Sequence, residues 1–499
     1  MLNLKSVILE IKVRDYQRFV AGLEENNANN YLFLLKAYRN SVDQPQTDEE
    51  IREKMGLTAT AFHTMKSRLY DKVQDFLFQN FEGLHVDLRK KLDSLPRLIY
   101  SDRYHPHIAI AILEHMVHVL EENDMPHDLI KVYDALRRMH LHAPKFFDYT
   151  RAYNRQMAYA LALDKAQGIA LELSRKIGEY DLSHDDETWE LILTLRQEIN
   201  NISGLYSSHR LRFQSHIAHL SVALLTPADD GMDASSHSIE DHLAMARKLI
   251  HQHPDDPFYA SCKPLMDYLS FEFYLKYHMH KKAQTYYDLV CQDIPGMLRL
   301  APLCASSHFF TSKTTYFKEI KRLPEMAADV QLLEESGFDA SLLDHVSYAH
   351  YMIHKAATAF FVGKYRKAVK HLNRLQQDVM FKNMVHAEIE VKVFLILCHS
   401  MSRNFPEAKD QIKSLSTKLR NHNLTKRYQH VISLMKFFRI AIKRSMVKTR
   451  YSTIKLAEYR DTFIRQNTGR DQILPFISWQ DDGIIRRISS RPEEWAEKW

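Results

Sequence analysis

Ala356-Ala-Thr-Ala359-Phe360-Phe-Val-Gly363-Lys-Tyr365-Arg-Lys-Ala368-Val-Lys-His-Leu372 reads as the end of one helix, a glycine turn and the start of a second helix. Ala356, Ala359 and Phe360 before the turn, and Tyr365, Ala368 and Leu372 after it, recur at three- and four-residue intervals. That spacing puts side chains on one face of a helix with 3.6 residues per turn. A hairpin of this kind cannot bury its apolar face alone and needs neighbours stacked upon it.

The same period runs through most of the chain, as in Ile108, Ile112, Leu113, Met116, Val119 and Leu120. Strand-like alternation is absent. Breaks carrying proline, glycine, asparagine or aspartate fall at Ser101 to Pro106, Asn123 to Pro126, His142 to Pro144, His253 to Pro257, Leu323 to Glu325 and Gly337 to Ser341, with helices of about 12 to 20 residues expected between many of them. Only 12 of 499 residues are glycine, far below the usual share of about 7%, and glycine costs roughly 1 kcal/mol relative to alanine inside a helix. The expected fold class is all-α. With 45% hydrophobic residues the chain can bury a large core. Four regions are expected: a helical region over 1–95, a helical array over 96–225, a second array over 239–460 and a C-terminal tail or cap over 461–499. Thr226 to Ser238, TPADDGMDASSHS, reads as the flexible loop between the two arrays.

Gly363 to Leu372 resembles the second half of a tetratricopeptide repeat (TPR), in which the glycine and aromatic occupy the turn and the small residue lets helix approach helix. Phe405-Pro-Glu-Ala408 with Ile412 is a weaker copy forty residues later, and Ala283 after His280 marks a third. The period and the first-helix residues depart from the family pattern. The resemblance implies stacked helix hairpins in a TPR-like α-solenoid with degenerate repeats over about Pro96 to Ala457, and recognition of other proteins in general terms. A generic helical bundle is the alternative architecture.

Near the N-terminus, Thr47-Asp-Glu-Glu-Ile51-Arg-Glu-Lys-Met55-Gly56-Leu57-Thr58-Ala-Thr60-Ala-Phe62-His-Thr-Met65-Lys-Ser-Arg68-Leu69 resembles a helix-turn-helix. Ile51, Met55, Leu57, Phe62 and Met65 would form its shared core and Gly56 its tight turn. Thr60, Ala61, His63, Thr64, Ser67 and Arg68 would face DNA. Arg52 stands where that pattern normally has a small residue, and Asp48, Glu49, Glu50 and Glu53 would repel phosphates. The alternative is a helical cap whose long second helix, running on through Leu69, Val73, Phe76 and Leu77, docks on the repeats.

The clearest signal is electrostatic. Gln411 to Ala457 holds twelve lysines and arginines and no aspartate or glutamate. Phe361 to Ala457 holds 21 basic and 5 acidic residues, a local charge of +16; with +6 for the whole chain, the remainder sums to −10. Such asymmetry attracts acidic partners. Lys436, Arg439, Lys443 and Arg450 fall within about 60° of one another on one helix face, with Arg444 and Lys448 beside them as further candidates for an acidic protein or nucleic acid. Tyr428, Phe437, Phe438 and Tyr451 are interleaved with these cations, either stacking on bases or packing in a core.

Other classes of function lack support. The opening residues, MLNLKSVILEIKVRD, are too charged for a signal peptide, and no apolar stretch approaches the ~18 residues a membrane span requires. Cys262, Cys291, Cys304 and Cys398 form no CxxC pair and suit reduced thiols in a cytoplasmic protein. The 28 histidines, with close pairs at His105/His107, His140/His142 and His251/His253, come without HExxH or paired CxxC, so they read as scattered surface groups. No metal site and no cofactor are expected. No phosphate loop, GxGxxG, GxSxG or kinase signature is present. Asp229/Asp230, Asp255/Asp256 and Asp481/Asp482 sit in polar loops and read as helix caps. An enzyme would require a concave cluster of titratable residues that linear sequence hides. After Asn467, glycines, prolines, Trp479, Trp495 and Trp499 suggest a tail that either caps the last repeat or adheres to a partner. The leading expectation is a non-catalytic cytosolic adaptor whose TPR-like groove holds an acidic protein segment. The alternative is a nucleic-acid-binding regulator.

Overall fold

A computed structural model of the chain describes residues 4–11, 13–26, 28–40, 47–79, 84–99, 106–226, 238–254, 256–292, 294–298, 304–335, 340, 343–444, 450–481, 483 and 487–488, and the regular structure among them is entirely helical. Two compact units divide the chain at residues 105 and 106.

In the first unit, helices Leu4–Glu10, Val13–Glu25, Asn29–Arg39, Asp48–Lys54 and Ala59–Gln79 share a core that includes Ile8, Phe19, Leu34, Tyr38, Ile51, Phe62, Met65 and Leu69. Thr47 starts Asp48–Lys54 with a capping box: its hydroxyl accepts from the Glu50 amide while the Glu50 carboxylate accepts from its own. Gly56 then takes a left-handed conformation, φ +63°, which only glycine adopts at little steric cost. The turn brings Ile51, Phe62 and Met65 into the core, with Met55 and Leu57 packed against it.

In the second unit helices pack mainly as consecutive pairs. Pro106–Glu122 lies on Pro126–Met139, His345–Phe361 on Tyr365–Asp378, Val385–Met401 on Phe405–Asn421, and Gln429–Arg444 on Arg450–Gln466. Lys145–Ser183 breaks the expected length. It runs 39 residues, about twice the upper expectation, because this stretch has no proline and its glycines, Gly168 and Gly178, do not stop it. At Gly178 an added β-carbon would lie 3.3 Å from Val346 Cγ1, so glycine permits close approach to helix His345–Phe361. The long helix ends at His184, which is left-handed with φ 53°.

Burial separates two layers. Tyr365–Asp378 and Phe405–Asn421 each bury one stripe: Tyr365, Ala368, Leu372 and Leu375 in the first, Ala408, Ile412, Leu415 and Leu419 in the second. Their partners are buried nearly all round, Val385–Met401 without interruption from Val393 to Met401. A helix buried on every side is covered on every side. Here the covers are the outer helices, the long helix Lys145–Ser183 and a C-terminal segment in which Ile473, Leu474, Phe476 and Ile477 are buried. Phe476 meets Phe394 edge-on at 5.6 Å, and the Asn467 side chain holds the Ile473 amide and carbonyl at 2.7 and 3.2 Å.

One apolar core extends from Leu163 to Ile488, joining the regions expected as separate arrays over 96–225 and 239–460. Most of the expected interarray loop, 227–237, lies outside the described residues, as do Trp495 and Trp499 of the tail. Asp256 caps Pro257–Lys276, as its loop position suggested. Among the described residues no helix is long and apolar enough to cross a membrane.

Candidate functional site

Helix Gln429–Arg444 sorts its side chains by burial. Phe437 and Phe438, with Tyr428 just before the helix, are buried in the core, so of the two roles open to them the structure assigns packing. Lys436, Arg439 and Lys443 are exposed and Arg444 is half-buried; Lys448 and the side chain of Arg450 lie outside the described residues. Arg439 donates to Ser416 Oγ at 3.0 Å, and the Lys436 ammonium sits 5.5 Å from the Tyr459 ring centre. No carboxylate among the described residues pairs with Lys436, Arg439 or Lys443. Other cations of the acid-free stretch find acids elsewhere in the chain: Lys418 pairs with Glu388, Arg427 with Asp471, and Lys455 with Glu458.

On helix Ala59–Gln79, Thr60, Ala61, His63, Thr64, Ser67 and Arg68 are all exposed. Behind them Lys66 forms an ion pair with Asp48 at 2.6 Å, and the Tyr38 hydroxyl donates to the same carboxylate at 2.8 Å. Thr47 to Phe76 carries five basic residues, Arg52, Lys54, Lys66, Arg68 and Lys72, against six acidic ones, Asp48, Glu49, Glu50, Glu53, Asp71 and Asp75. Such a balance provides little attraction for a phosphate backbone.

The third feature is one that sequence reading missed. A cavity of about 230 Å³ lies where the end of the long helix meets the two inner helices and the segment 469–476. Asp181, in the last turn of Lys145–Ser183, lines it. His308 Nδ1 approaches Asp181 Oδ2 at 3.0 Å, and His350 Nε2 lies 3.2 Å from the same oxygen. Burial would lower the His308 pKa, but the carboxylate beside it prevails and raises it to about 9. Against its own burial, Asp181 is held well below the usual carboxylate range by His308 and then His350. Burial keeps His350 below its ordinary value. From Val385–Met401, Glu390 accepts the Leu474 amide at 2.7 Å, and burial pushes it up to about 8.

Beside this group, the His184 and His386 rings stack 3.6 Å apart with planes at 20°. Arg427 grips both oxygens of Asp471, donating to Oδ1 at 2.8 Å and to Oδ2 at 2.9 Å, and the Tyr428 hydroxyl is 3.1 Å from His386 Nδ1. His184, His386 and Asp471 bring metal-ligating atoms within 4.8 Å of one another. Parallel rings do not converge their lone pairs on one point, however, and Asp471 is already neutralised by a guanidinium. The arrangement is a packed cluster in which the carboxylate is matched by the guanidinium, while the buried His184 Nδ1 makes no hydrogen bond among the described residues and lies 3.6 Å from Asp471.

A hydroxyl, an imidazole and a carboxylate also fall in series here, since Thr311 Oγ1 is 2.9 Å from His350 Nδ1. Along the same helix pair, Thr314 Oγ1 and His354 Nδ1 repeat the contact at 2.7 Å. Repetition along one interface marks such pairs as hydrogen bonds between helices.

Among the described residues seven histidines, His184, His242, His350, His354, His386, His399 and His430, are buried. This corrects the reading of histidine as a scattered surface residue. The four-residue spacing of His386 and Glu390 was the one local signal; Asp181, His308 and Asp471 converge only through tertiary packing. No protein family matches the chain, and no match is found among curated proteins or solved structures.

Proposed function

We propose that this protein is a non-catalytic, TPR-like helical adaptor of the cytoplasm that docks an acidic protein segment on the outward basic face of helix Gln429–Arg444. One observation carries the reading: Lys436, Arg439 and Lys443 stand exposed within eight residues and meet no carboxylate among the described residues. The consecutive helix pairs beginning at His345, Val385 and Gln429 support the repeat character, as do the left-handed turn at Gly363 and the fully buried Ala356, Ala368 and Ala408. Because the inner helices are covered by the chain's own segments, the docking surface is placed on the outside rather than in a groove.

The test is affinity purification from the native cell at mild salt, with and without nuclease, using wild-type protein and a K436E/R439E/K443E variant. Discrete acidic proteins that survive nuclease and disappear with the triple variant are the expected result. Nucleic-acid fragments that dominate the untreated sample, with loss of all protein after nuclease, would overturn it.

A nucleic-acid-binding regulator is the second reading. It is favoured by the six adjacent exposed side chains on Ala59–Gln79 that follow the Gly56 turn. On that reading Arg68→Ala weakens DNA binding and lowers its salt dependence. Wild-type protein without measurable affinity for duplex DNA at low salt removes it.

A further inference from the structure

The chain turns at His278, which is left-handed with φ 53°, and His280 then opens helix His280–Cys291. Beside this turn Glu319 closes helix Phe309–Glu319. Both histidines bring Nδ1 towards one oxygen of that carboxylate: His278 lies 3.3 Å and His280 3.7 Å from Glu319 Oε2. The three potential ligand atoms fall within 4.8 Å of one another. His278 and Glu319 are 41 residues apart, so no motif of the HExxH kind announces the group.

Hydrogen bonding alone accounts poorly for these distances. An N–H donor usually sits about 2.9–3.0 Å from its acceptor. The His278 contact is longer than that, and His280 Nδ1 is shielded from solvent with no hydrogen-bond partner among the described residues. Ligand atoms held about 2.0–2.2 Å from a tetrahedral metal ion are themselves about 3.3–3.6 Å apart, close to the two separations seen here. Ring orientation agrees with this spacing. The two imidazole planes meet at 60°, unlike the near-parallel rings of His184 and His386, so their lone pairs can converge on one point. His278 is exposed while His280 and Glu319 are half-buried, which gives an ion a path of entry and solvent a place in its coordination sphere.

We propose that His278, His280 and Glu319 bind a divalent transition-metal ion of the zinc class, with water completing the coordination. Two imidazoles and one carboxylate are a donor set that Zn2+ accepts, whereas Ca2+ and Mg2+ take oxygen ligands. The bound ion ties the turn at His278 to the end of Phe309–Glu319 and so stabilises the packing of two stretches distant in sequence. The site is separate from the docking face of Gln429–Arg444 and does not depend on that reading.

The test is calorimetric titration of the full, chelator-treated chain with ZnCl2 and with MgCl2 at one fixed ionic strength. One equivalent of Zn2+ bound more tightly than the rest is expected, with no such equivalent for Mg2+. Loss of even an outer partner of a metal ligand costs about 10–100-fold in affinity, so His278→Gln/His280→Gln should weaken that equivalent about 100-fold or more and Glu319→Gln about tenfold or more. None of the three residues belongs to the buried core, so the substitutions leave it intact. His142→Gln/His251→Gln, which removes two exposed histidines elsewhere, should leave the tight equivalent unchanged. Saturating Zn2+ should also raise the urea midpoint of wild type over that in chelator, a shift that His278→Gln/His280→Gln lacks. The proposal fails if no tight equivalent is found, if His278→Gln/His280→Gln retains it, if both histidine-pair variants weaken it equally, or if Mg2+ binds as well.

Discussion

At the cavity Asp181 lies 3.0 Å from His308, and beside it Asp471 is gripped by Arg427, whereas on helix Gln429–Arg444 three cations stand in solvent without a partner acid among the described residues. The two regions obey one rule with opposite outcomes. A charge removed from water must be matched or neutralised, because desolvation otherwise costs several kcal/mol. Hence His308 is held protonated and Glu390 is pushed towards neutrality. At the surface water itself satisfies an ammonium, so an unmatched cation costs little and remains available. Matched charge in this protein therefore belongs to the fold, and unmatched charge to the surface that the proposed docking would use.

The comparison breaks first at Asp181. Replacing it with alanine removes the carboxylate from a partly buried pair, the side chains of Asp181 and His308 being 15% and 21% exposed, so the loss should fall between about 1 kcal/mol, as for an exposed pair, and about 3–5 kcal/mol, as for a buried one. Urea unfolding of wild type and Asp181→Ala should show a loss of this size. A change under about 1 kcal/mol, the usual value of an exposed pair, would mean that water reaches the cavity freely and that the contrast between inside and outside is false.

A smaller effect appears with pH. His308, raised to about 9, contributes stability that is complete below its unfolded value near 6.5 and is lost as pH rises through 9. Glu390, raised to about 8, is neutral in the fold while its unfolded counterpart ionises near 4.3, so stability also falls as pH climbs from that value to 8. Both groups act in one direction on the alkaline side. On the acid side Asp181, held low, loses its contribution as pH falls through its folded value. Neutral His350 adds to that loss once its unfolded form begins to protonate. Unfolding free energy should decline from neutral pH towards 9, and His308→Gln should flatten the decline above about 6.5. A wild-type profile already flat from 7 to 9 would place His308 in water.

Part of this contrast was legible in the sequence. The helical period and scarcity of glycine led to the all-helical fold, and the residues around Gly56 and Gly363 led to turns there, which the structure shows to be left-handed, because both are local properties of a few consecutive positions. The exposed cations at 436, 439 and 443 followed from helix geometry. The inner layer did not, since Val385–Met401 is almost uniformly apolar in its second half and says nothing of what covers it. Asp181, His308, His350 and Asp471 are separated by as much as 290 positions, and nothing in their local sequence distinguishes them from surface residues. The acid-free stretch with its twelve cations misled in the opposite sense, since Glu388, Glu458 and Asp471 supply in space the acids missing from the stretch itself.

The smallest expected effect on stability belongs to the outer face, and it tests the comparison from the other side. Lys436, Arg439 and Lys443 are exposed, and their contacts are a hydroxyl at Ser416 and a ring face at Tyr459. Exposed substitutions away from packed or paired groups usually change stability by no more than about 0.5 kcal/mol each. Reversing all three to glutamate should therefore leave the urea midpoint nearly unchanged, and relief of repulsion within the +16 region could even raise it slightly. Unfolding and partner capture measured on this same variant then separate the two roles. Lost capture with an unchanged midpoint identifies the face as a docking surface. A midpoint lowered as far as that of Asp181→Ala would show that these cations hold the fold together, and the division between matched interior and available exterior would no longer stand.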